Sequence, residues 1–313
     1  MKFSILVPAY KPQFLAECIE SILAQTYGDW ELIIVNDASP YDIDSIVGRF
    51  SDSRIRYYKR EKGFGAERLV DNWNECLSYA TGEYVINMGD DDKLTKKCLY
   101  NYHKHIAIYK DYDVYHVRTG IIDEKSELVD ILQGWPTEES TFSMIWHAWR
   151  YNRKSFMGDW LFKTNKLREK GGYINLPCAW ASDDITAYMM SGNKGVSSIN
   201  KLGFLYRQTS LTISKQNKHN FNKIKAWDIV NEWMIQFLKT TPCGTDDEYF
   251  KEYINKHLKN RICTMKNCQV HDNLLDKPSN ILKWMKEGKQ YGISQKTILQ
   301  IFHSVVKEKY HLL

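Results

Sequence analysis

Two clusters of carboxylates stand out for the chemistry they could do. Asp90, Asp91 and Asp92 follow an apolar stretch in "YVINMGDDDK", and Asp183–Asp184 opens a helical run in "WASDDITAYMM". Three adjacent carboxylates repel one another, and each raises the pKa of its neighbours unless a cation arrives. One reading of the run is a helix N-terminus, where Asp is favoured by unpaired N–H groups and the macrodipole. The other is a hard divalent cation held by oxygen ligands at the end of a sheet. Without that cation, the cluster is expected to be repulsive and its loop loose. Asp183–Asp184 also has two readings: a helix cap with Ser182 or Asp183 at its start, or a carboxylate that takes a proton from a substrate hydroxyl. At a helix start, Asp184 is expected to have a depressed pKa.

Other residue types argue for less. Seven cysteines (Cys18, Cys76, Cys98, Cys178, Cys243, Cys263, Cys268) include no Cys-x-x-Cys pair. That pattern suits reduced thiols better than a disulfide frame or a zinc site. The histidines show no paired metal spacing. "GFGAER" holds only a fragment of a dinucleotide fingerprint and does not directly follow the first strand, which argues against nicotinamide binding. Trp146 and Trp149 are three apart on a helix and read as core. Trp180, just before the Asp pair, is the better surface for stacking an acceptor sugar.

The elements that must position these groups can be read from hydrophobic period. "FSILVPAY", "WELIIVNDAS", "RIRYYKR" and "EYVINMGDDD" read as strands, the first two as continuous apolar runs buried on both faces. Helices lie between them, in "QFLAECIESILAQT", "YDIDSIVGRF" and "LVDNWNECLSYATG", the last closed by Gly82 as a left-handed residue. Strands alternating with helices give a mostly parallel sheet covered on both faces, with ligands beyond the carboxyl ends of its strands. Polar groups fall at three such ends: Pro8, Ala9 and Tyr10; Asn36, Asp37 and Ser39; Asp90 to Asp92. A solvated loop explains any one of them; one shared crevice explains all three. Further on, "DVYHVRTGIID" and "GVSSINKLGFLYRQT" read as strands and "TFSMIWHAWRYN" as a helix.

From about residue 216 the sequence turns helical and basic. Lys215 to the C-terminus holds 17 Lys and Arg against 10 Asp and Glu; the rest holds 26 against 28. A basic end on a near-neutral body suits an anionic partner, a membrane surface before nucleic acid, which is not expected. The N-terminal apolar run is too short for a signal or a span, so the chain is expected not to cross a membrane.

With these residues in order, the chain resembles the family 2 glycosyltransferases over roughly residues 1–215. "SILVPAY", "ELIIVNDAS", "GFGAERLVDNWNECLSYATGEYVINMGDDD" and "WASDDITAYMMSGNKG" followed by "LYRQTSLTIS" carry the resemblance. It implies a GT-A fold, an α/β sheet flanked by helices, with a nucleotide-sugar half at about 1–110 and an acceptor half at about 111–215. The basic region 216–313 would be a helical extension. The family pattern implies that Pro8, Ala9 and Tyr10 line the nucleoside pocket. It puts Asp37 on the base N–H and Arg68 beside base and phosphates. Asp90 and Asp91 would hold the donor, Asp91 and Asp92 the metal, and Asp184, with Asp183 beside it, would be the general base. The sequence departs from Asp-Ser-Asp-Asp in having Gly89 first, and from a pair of aspartates in having Asn36. The duties of Asp90, Asp91 and Asp92 are therefore left to be divided.

These residues imply an inverting transferase that uses Mn²⁺ or Mg²⁺ and a UDP-sugar. Its acceptor would be a glycan or polyprenyl-linked oligosaccharide of a surface polysaccharide. The enzyme would be cytoplasmic, held at the inner membrane face by its basic helices. A nucleotidyltransferase would want a Gly-rich basic loop where "PAYKPQF" stands, and a silent binding module would not need Asp37, Asp91 and Asp184 together.

Overall fold

The computed structural model describes residues 1–150, 152–209, 220–242 and 245–309. The first part alternates as the hydrophobic pattern requires: β1 (Phe3–Ala9), α1 (Leu15–Leu23), β2 (Trp30–Asn36), α2 (Ile43–Val47), β3 (Ile55–Lys59), α3 (Leu69–Tyr79) and β4 (Tyr84–Asn87). These strands lie in the order β3-β2-β1-β4, every pair parallel. Leu6, Ile33 and Val35 enter one core; Ile5, Val7, Leu32 and Ile34 enter the core on the other face. Strands buried on both faces need no polar alternation, which is why β1 and β2 read as unbroken apolar runs. Each such buried side chain contributes about 1.5–3 kcal/mol relative to exposure.

Then follow β5 (Lys93–Leu94), α4 (Cys98–Ile108), β6 (Val114–Ile122), β7 (Leu128–Ile131), β8 (Glu138–Glu139), α5 (Thr141–Trp149), β9 (Trp160–Lys163), α6 (Thr164–Glu169), α7 (Ser182–Ser191) and β10 (Val196–Arg207). β9 lies antiparallel between β4 and β6, and β10 is parallel to β6. Hence β1, β2, β3, β4, β6 and β10 all run one way, while β5, β7, β8 and β9 run against them. The carboxyl ends of β1, β2, β4 and β10 therefore share one edge of the sheet.

Gly82 is not the left-handed residue expected to close α3. The helix ends at Tyr79 and Ala80 is extended, with φ −64° and ψ 134°. Gly82 instead makes room for β1: a Cβ there would lie 2.8 Å from Lys2 O and from Ser4 N.

The basic region forms α8 (Asn220–Phe237), α9 (Thr245–Asp276), α10 (Ile281–Glu287) and α11 (Gln295–Lys309). α8 and α9 add Val230, Met234, Leu258 and Ile262 to the core that also holds Leu6, Val85 and Ile185. α10 and α11 close a separate cluster around Trp284, Ile298 and Val305. Trp284 Nε1 donates to Asn273 Oδ1 on α9 at 2.9 Å. The boundary near residue 215, Cys243 and the end of "LYRQTSLTIS" lie outside the described residues. The six other cysteines are free thiols. No described helix is long and apolar enough to cross a membrane.

Candidate active site

β1 and β2 end side by side, Ala9 opposite Asn36, and Asp37 N donates to Ala9 O at 3.0 Å. Pro8 is the partly exposed member of the otherwise buried β1, and Tyr10, 45% exposed, is the first residue outside the strand. Ser39 Oγ donates to Tyr10 O at 2.6 Å, which fixes one strand tip to the next. The Asp37 carboxylate accepts N–H groups from Phe64 (2.8 Å) and Gly65 (3.0 Å). Gly63 permits this closure, since a Cβ there would stand 2.4 Å from Asp37 O. The same loop places the Phe64 ring against both Arg60 and Arg68, whose guanidinium carbons lie 3.7 and 4.6 Å from its centroid. Arg68 is also paired with Asp71 at 2.6 Å.

The three adjacent aspartates point three ways. Asp90 Oδ2 accepts from the backbone N–H of Tyr10 (2.7 Å) and Lys11 (2.6 Å), tying β4 to the β1–α1 connection. Asp92 accepts from Gly89 N and, at 2.9 Å, from Arg207 N at the end of β10. Asp91 meets the Lys11 ammonium at 2.7 Å. The expected repulsion is thus partly answered within the chain, by backbone dipoles for Asp90 and Asp92 and by a lysine for Asp91. It is not cancelled. Burial, then the charge of Asp91, pushes Asp90 up to about 6 and Asp92 well above the usual carboxylate range. The Lys11 ammonium is stabilised: burial opposes it, but Asp91 and Asp90 together outweigh that cost. Gly89 explains the departure from the family pattern. A Cβ there would meet Asp91 Oδ1 at 2.8 Å and Asp92 Oδ2 at 2.9 Å, so an Asp at 89 would require both carboxylates to move from where Lys11 and Arg207 hold them.

Arg207 is the fully buried hub below this turn. Its guanidinium donates to Asp91 O (2.7 Å), Asp123 O (2.9 Å), Glu17 Oε2 (3.0 Å) and Ser126 Oγ (2.9 Å), joining β10 to α1, the Asp turn and the β6–β7 loop. A guanidinium suits this place because its fixed fork of donors can satisfy several acceptors in one plane.

Asp184 lies in the first turn of α7, behind a strained approach. Cys178, Ala179 and Ala181 have φ of 58°, 55° and 65°, and Ala181, not Ser182 or Asp183, is the N-cap. Ser182 Oγ instead accepts from Leu176 N, pinning that approach. Three left-handed non-glycine residues in four positions cost energy and persist only where the surroundings demand them. Asp183 Oδ1 accepts from Asp184 N at 3.0 Å, and Asp184 Oδ1 accepts from Ser155 Oγ at 3.0 Å. The depressed pKa expected for Asp184 is not found. Burial, with the nearby charge of Asp159, pushes it up to about 6 against the opposing pull of Ser155 and Arg261. Burial and Asp184 likewise push Asp183 well up. The helix dipole loses because both carboxylates are partly withdrawn from water and each has another acid nearby.

Trp180 sets its ring 4.2 Å from Lys223 Nζ of α8. Asp184 itself lies in a small pocket with Trp149 of α5, Tyr188 of α7, Trp227 of α8 and Arg261 of α9. Lys11, Ser155, Arg207, Trp227 and Arg261 are thus site residues that the sequence reading did not name. Arg207, in the quoted "LYRQT", carried the one available signal: a charge directly after the apolar stretch that ends a strand.

Residues 4–174, more than half of the chain, match the family model described as Glycosyl transferase family 2. The chain belongs to this family. Among curated relatives, the Escherichia coli UDP-Glc:alpha-D-GlcNAc-diphosphoundecaprenol beta-1,3-glucosyltransferase WfgD is 36% identical over 90 residues, 28% of this chain and 34% of that protein. Glycosyltransferase GlyG of Streptococcus pneumoniae is 33% identical over 114 residues, 36% of each chain. The chain therefore matches only about a third of the length of these relatives. Among solved structures, S. aureus TarS 1–349 in complex with UDP-GlcNAc superposes with a TM-score of 0.67 at 15% identity, covering 99% of this chain and 92% of that one. This likeness shows the fold, a GT-A sheet flanked by helices. The family 2 match also makes the chain a glycosyltransferase by class, as its resemblance implied.

Proposed function

We propose that this family 2 glycosyltransferase is an inverting, metal-assisted enzyme that moves a sugar from a UDP-sugar to a glycan or lipid-linked acceptor in surface polysaccharide synthesis. One observation carries the reading. The Asp turn and the Asp183–Asp184 pair are joined through a short relay of three contacts: Ser155 bonds Asp184, Arg207 N bonds Asp92, and the neighbouring rings of Phe156 and Tyr206 stack at 3.9 Å. A donor-holding carboxylate and a proton-accepting one are thereby anchored to the same edge of the sheet.

The residues present fit a divalent cation. Asp91 offers a carboxylate oxygen, a hard ligand, and the glycine at 89 leaves the turn open where a Cβ would crowd Asp91 and Asp92. Among the described residues no group of three or more His, Cys, Asp or Glu is arranged to hold a metal alone. A site that shares its cation with the donor's diphosphate oxygens needs no such group. The cation would stabilise charge developing on the leaving diphosphate. Asp91 would hold it, with Asp92 fixing the turn from the Arg207 side. A mannosyltransferase from Pyrobaculum calidifontis, solved with GDP-Man and Mn²⁺, shares the fold at a TM-score of 0.54 and 14% identity.

On the opposite side, Asp184 would take the acceptor hydroxyl's proton as that oxygen attacks the anomeric carbon. Its raised pKa, about 6, suits this role, because a base that titrates near neutrality binds the proton more firmly than an ordinary Asp does. Direct displacement gives a β-linkage from an α-linked donor. Tyr10, Asp37 and Arg68 would bound the nucleoside, and Trp180 with Trp227 the acceptor. The exposed Leu282 and Leu299, among Lys283, Lys286 and Lys296, would rest on anionic lipid at the cytoplasmic face, where a polyprenyl-linked acceptor would be found.

The deciding experiment is calorimetric titration of UDP, GDP and dTDP, each with Mn²⁺ and with EDTA. UDP binding that weakens at least tenfold in EDTA but stays measurable is expected; no metal-linked binding of any nucleotide would overturn the reading.

A further inference from the structure

The Asp turn already has a cation of its own. Lys11 grips it twice: its Nζ donates to Asp91 Oδ2 at 2.7 Å, and its backbone N–H donates to Asp90 Oδ2 at 2.6 Å. The pair is sheltered, with side chains 23% and 15% exposed, so solvent screens it less than a surface pair. The other two carboxylates are held by backbone N–H groups, Asp90 by Tyr10 and Lys11, Asp92 by Gly89 and Arg207. Of the run, Asp91 is the one whose partner is a side chain on a flexible stem. A lysine head can leave one anion for another nearby; a backbone N–H cannot. Lys11 also follows Tyr10 in the connection that the nucleotide would lie against, so a diphosphate held at Asp91 would come within its reach.

We propose that Lys11 is a tethered counter-ion that the donor must draw off Asp91. In the empty protein its ammonium neutralises Asp91 and competes with a divalent cation for that carboxylate. When a nucleoside diphosphate enters, the ammonium passes to the phosphate oxygens, and Asp91 is freed for the cation that enters with them. The cluster thereby stays folded without metal and takes metal together with donor. This inference rests on the reading of Asp91 as the metal-bearing carboxylate.

The role predicts effects of opposite sign in one variant. Lys11→Met removes the competitor, so Mn²⁺ alone binds at least tenfold more tightly, a change of about 1.4 kcal/mol. The same variant loses the phosphate contact, so UDP in EDTA binds several-fold more weakly. Disturbed folding would weaken both, and Lys11→Arg, which keeps the charge, should match the parent protein in both. Titrations of Mn²⁺ alone and of UDP in EDTA, on the parent, K11M, K11R and D91N, decide the matter. If D91N leaves UDP affinity in Mn²⁺ unchanged, the reading of Asp91 fails and this inference goes with it. If D91N weakens that binding while K11M binds Mn²⁺ no more tightly, or holds UDP in EDTA as well as the parent, the Lys11 role alone is overturned.

Discussion

Phe156 lies flat on Tyr206, ring centroids 3.9 Å apart and planes within 15°. Each ring is the chain neighbour of a residue that fixes a carboxylate: Ser155 fixes Asp184, and Arg207 fixes Asp92. The stack thus bridges the two acidic clusters. Phe156→Ala should cost about 1 kcal/mol of stability from the lost aromatic pair, and more where the ring's burial is lost too. Because a small misplacement of reacting groups can cost about a hundredfold in rate, kcat should fall steeply while UDP affinity changes little. Steady-state kinetics beside UDP titration would separate the two effects; a parallel loss of both would refute the bridge.

Asp184→Asn should abolish transfer and leave UDP affinity near normal, because Asn fills the same space and keeps the acceptor for Ser155 but takes no proton. Retention of most of the transfer rate would pass the role of base to Asp183 or to a substrate group. Asp91→Asn should behave differently, weakening UDP binding in Mn²⁺ as well as transfer.

The raised carboxylates predict two pH effects. With Asp184 titrating near 6, kcat should fall about tenfold per pH unit below that value, and any residual rate of Asp184→Asn should lack this dependence. Stability should move the other way. Between an unfolded value of 3.8 and a folded value of about 6, the folded chain binds more protons than the unfolded one, so stability declines as pH rises through this window. The penalty is absent below about pH 4 and complete above the folded value. Melting at pH 5 and pH 7.5 without metal should show the acid sample more stable, and Asp184→Asn should narrow the gap.

Arg207→Met should be among the most destabilising single changes. It takes the donor from the Asp91 and Asp123 carbonyls and leaves Glu17 to Lys93 and Ser126, and each buried acceptor left unsatisfied costs about 1–3 kcal/mol. Chemical denaturation would measure it; a loss under about 1 kcal/mol would mean that the turn holds without its hub.

Ala181→Gly tests the strained approach to α7. Glycine accepts φ of 65° without the Cβ clash, so stability should rise by about 1 kcal/mol. If the strain serves to aim Asp184, kcat should fall in the same variant.

The sequence by itself determined the alternating architecture and the placing of polar residues at strand ends. Apolar runs in β1 and β2 can only be strands covered on both faces, and the order of motifs named the family. It also supplied both carboxylate clusters of the candidate site, though not Glu17 or Asp159 beside them. What it could not supply was direction. Asp90, Asp91 and Asp92 are alike in a sequence, yet one caps a loop, one meets a lysine and one is held by a strand more than a hundred residues later. The sign of the Asp184 shift was also a tertiary matter. A helix dipole is local and legible, whereas desolvation by α5, α8 and α9 and the charge of Asp159 arise only when distant segments close around it. The same holds for Arg207, Trp227 and Arg261. Side chains enter a site by where the chain returns in space, and hydrophobic period encodes which face is buried but not what it will be buried against.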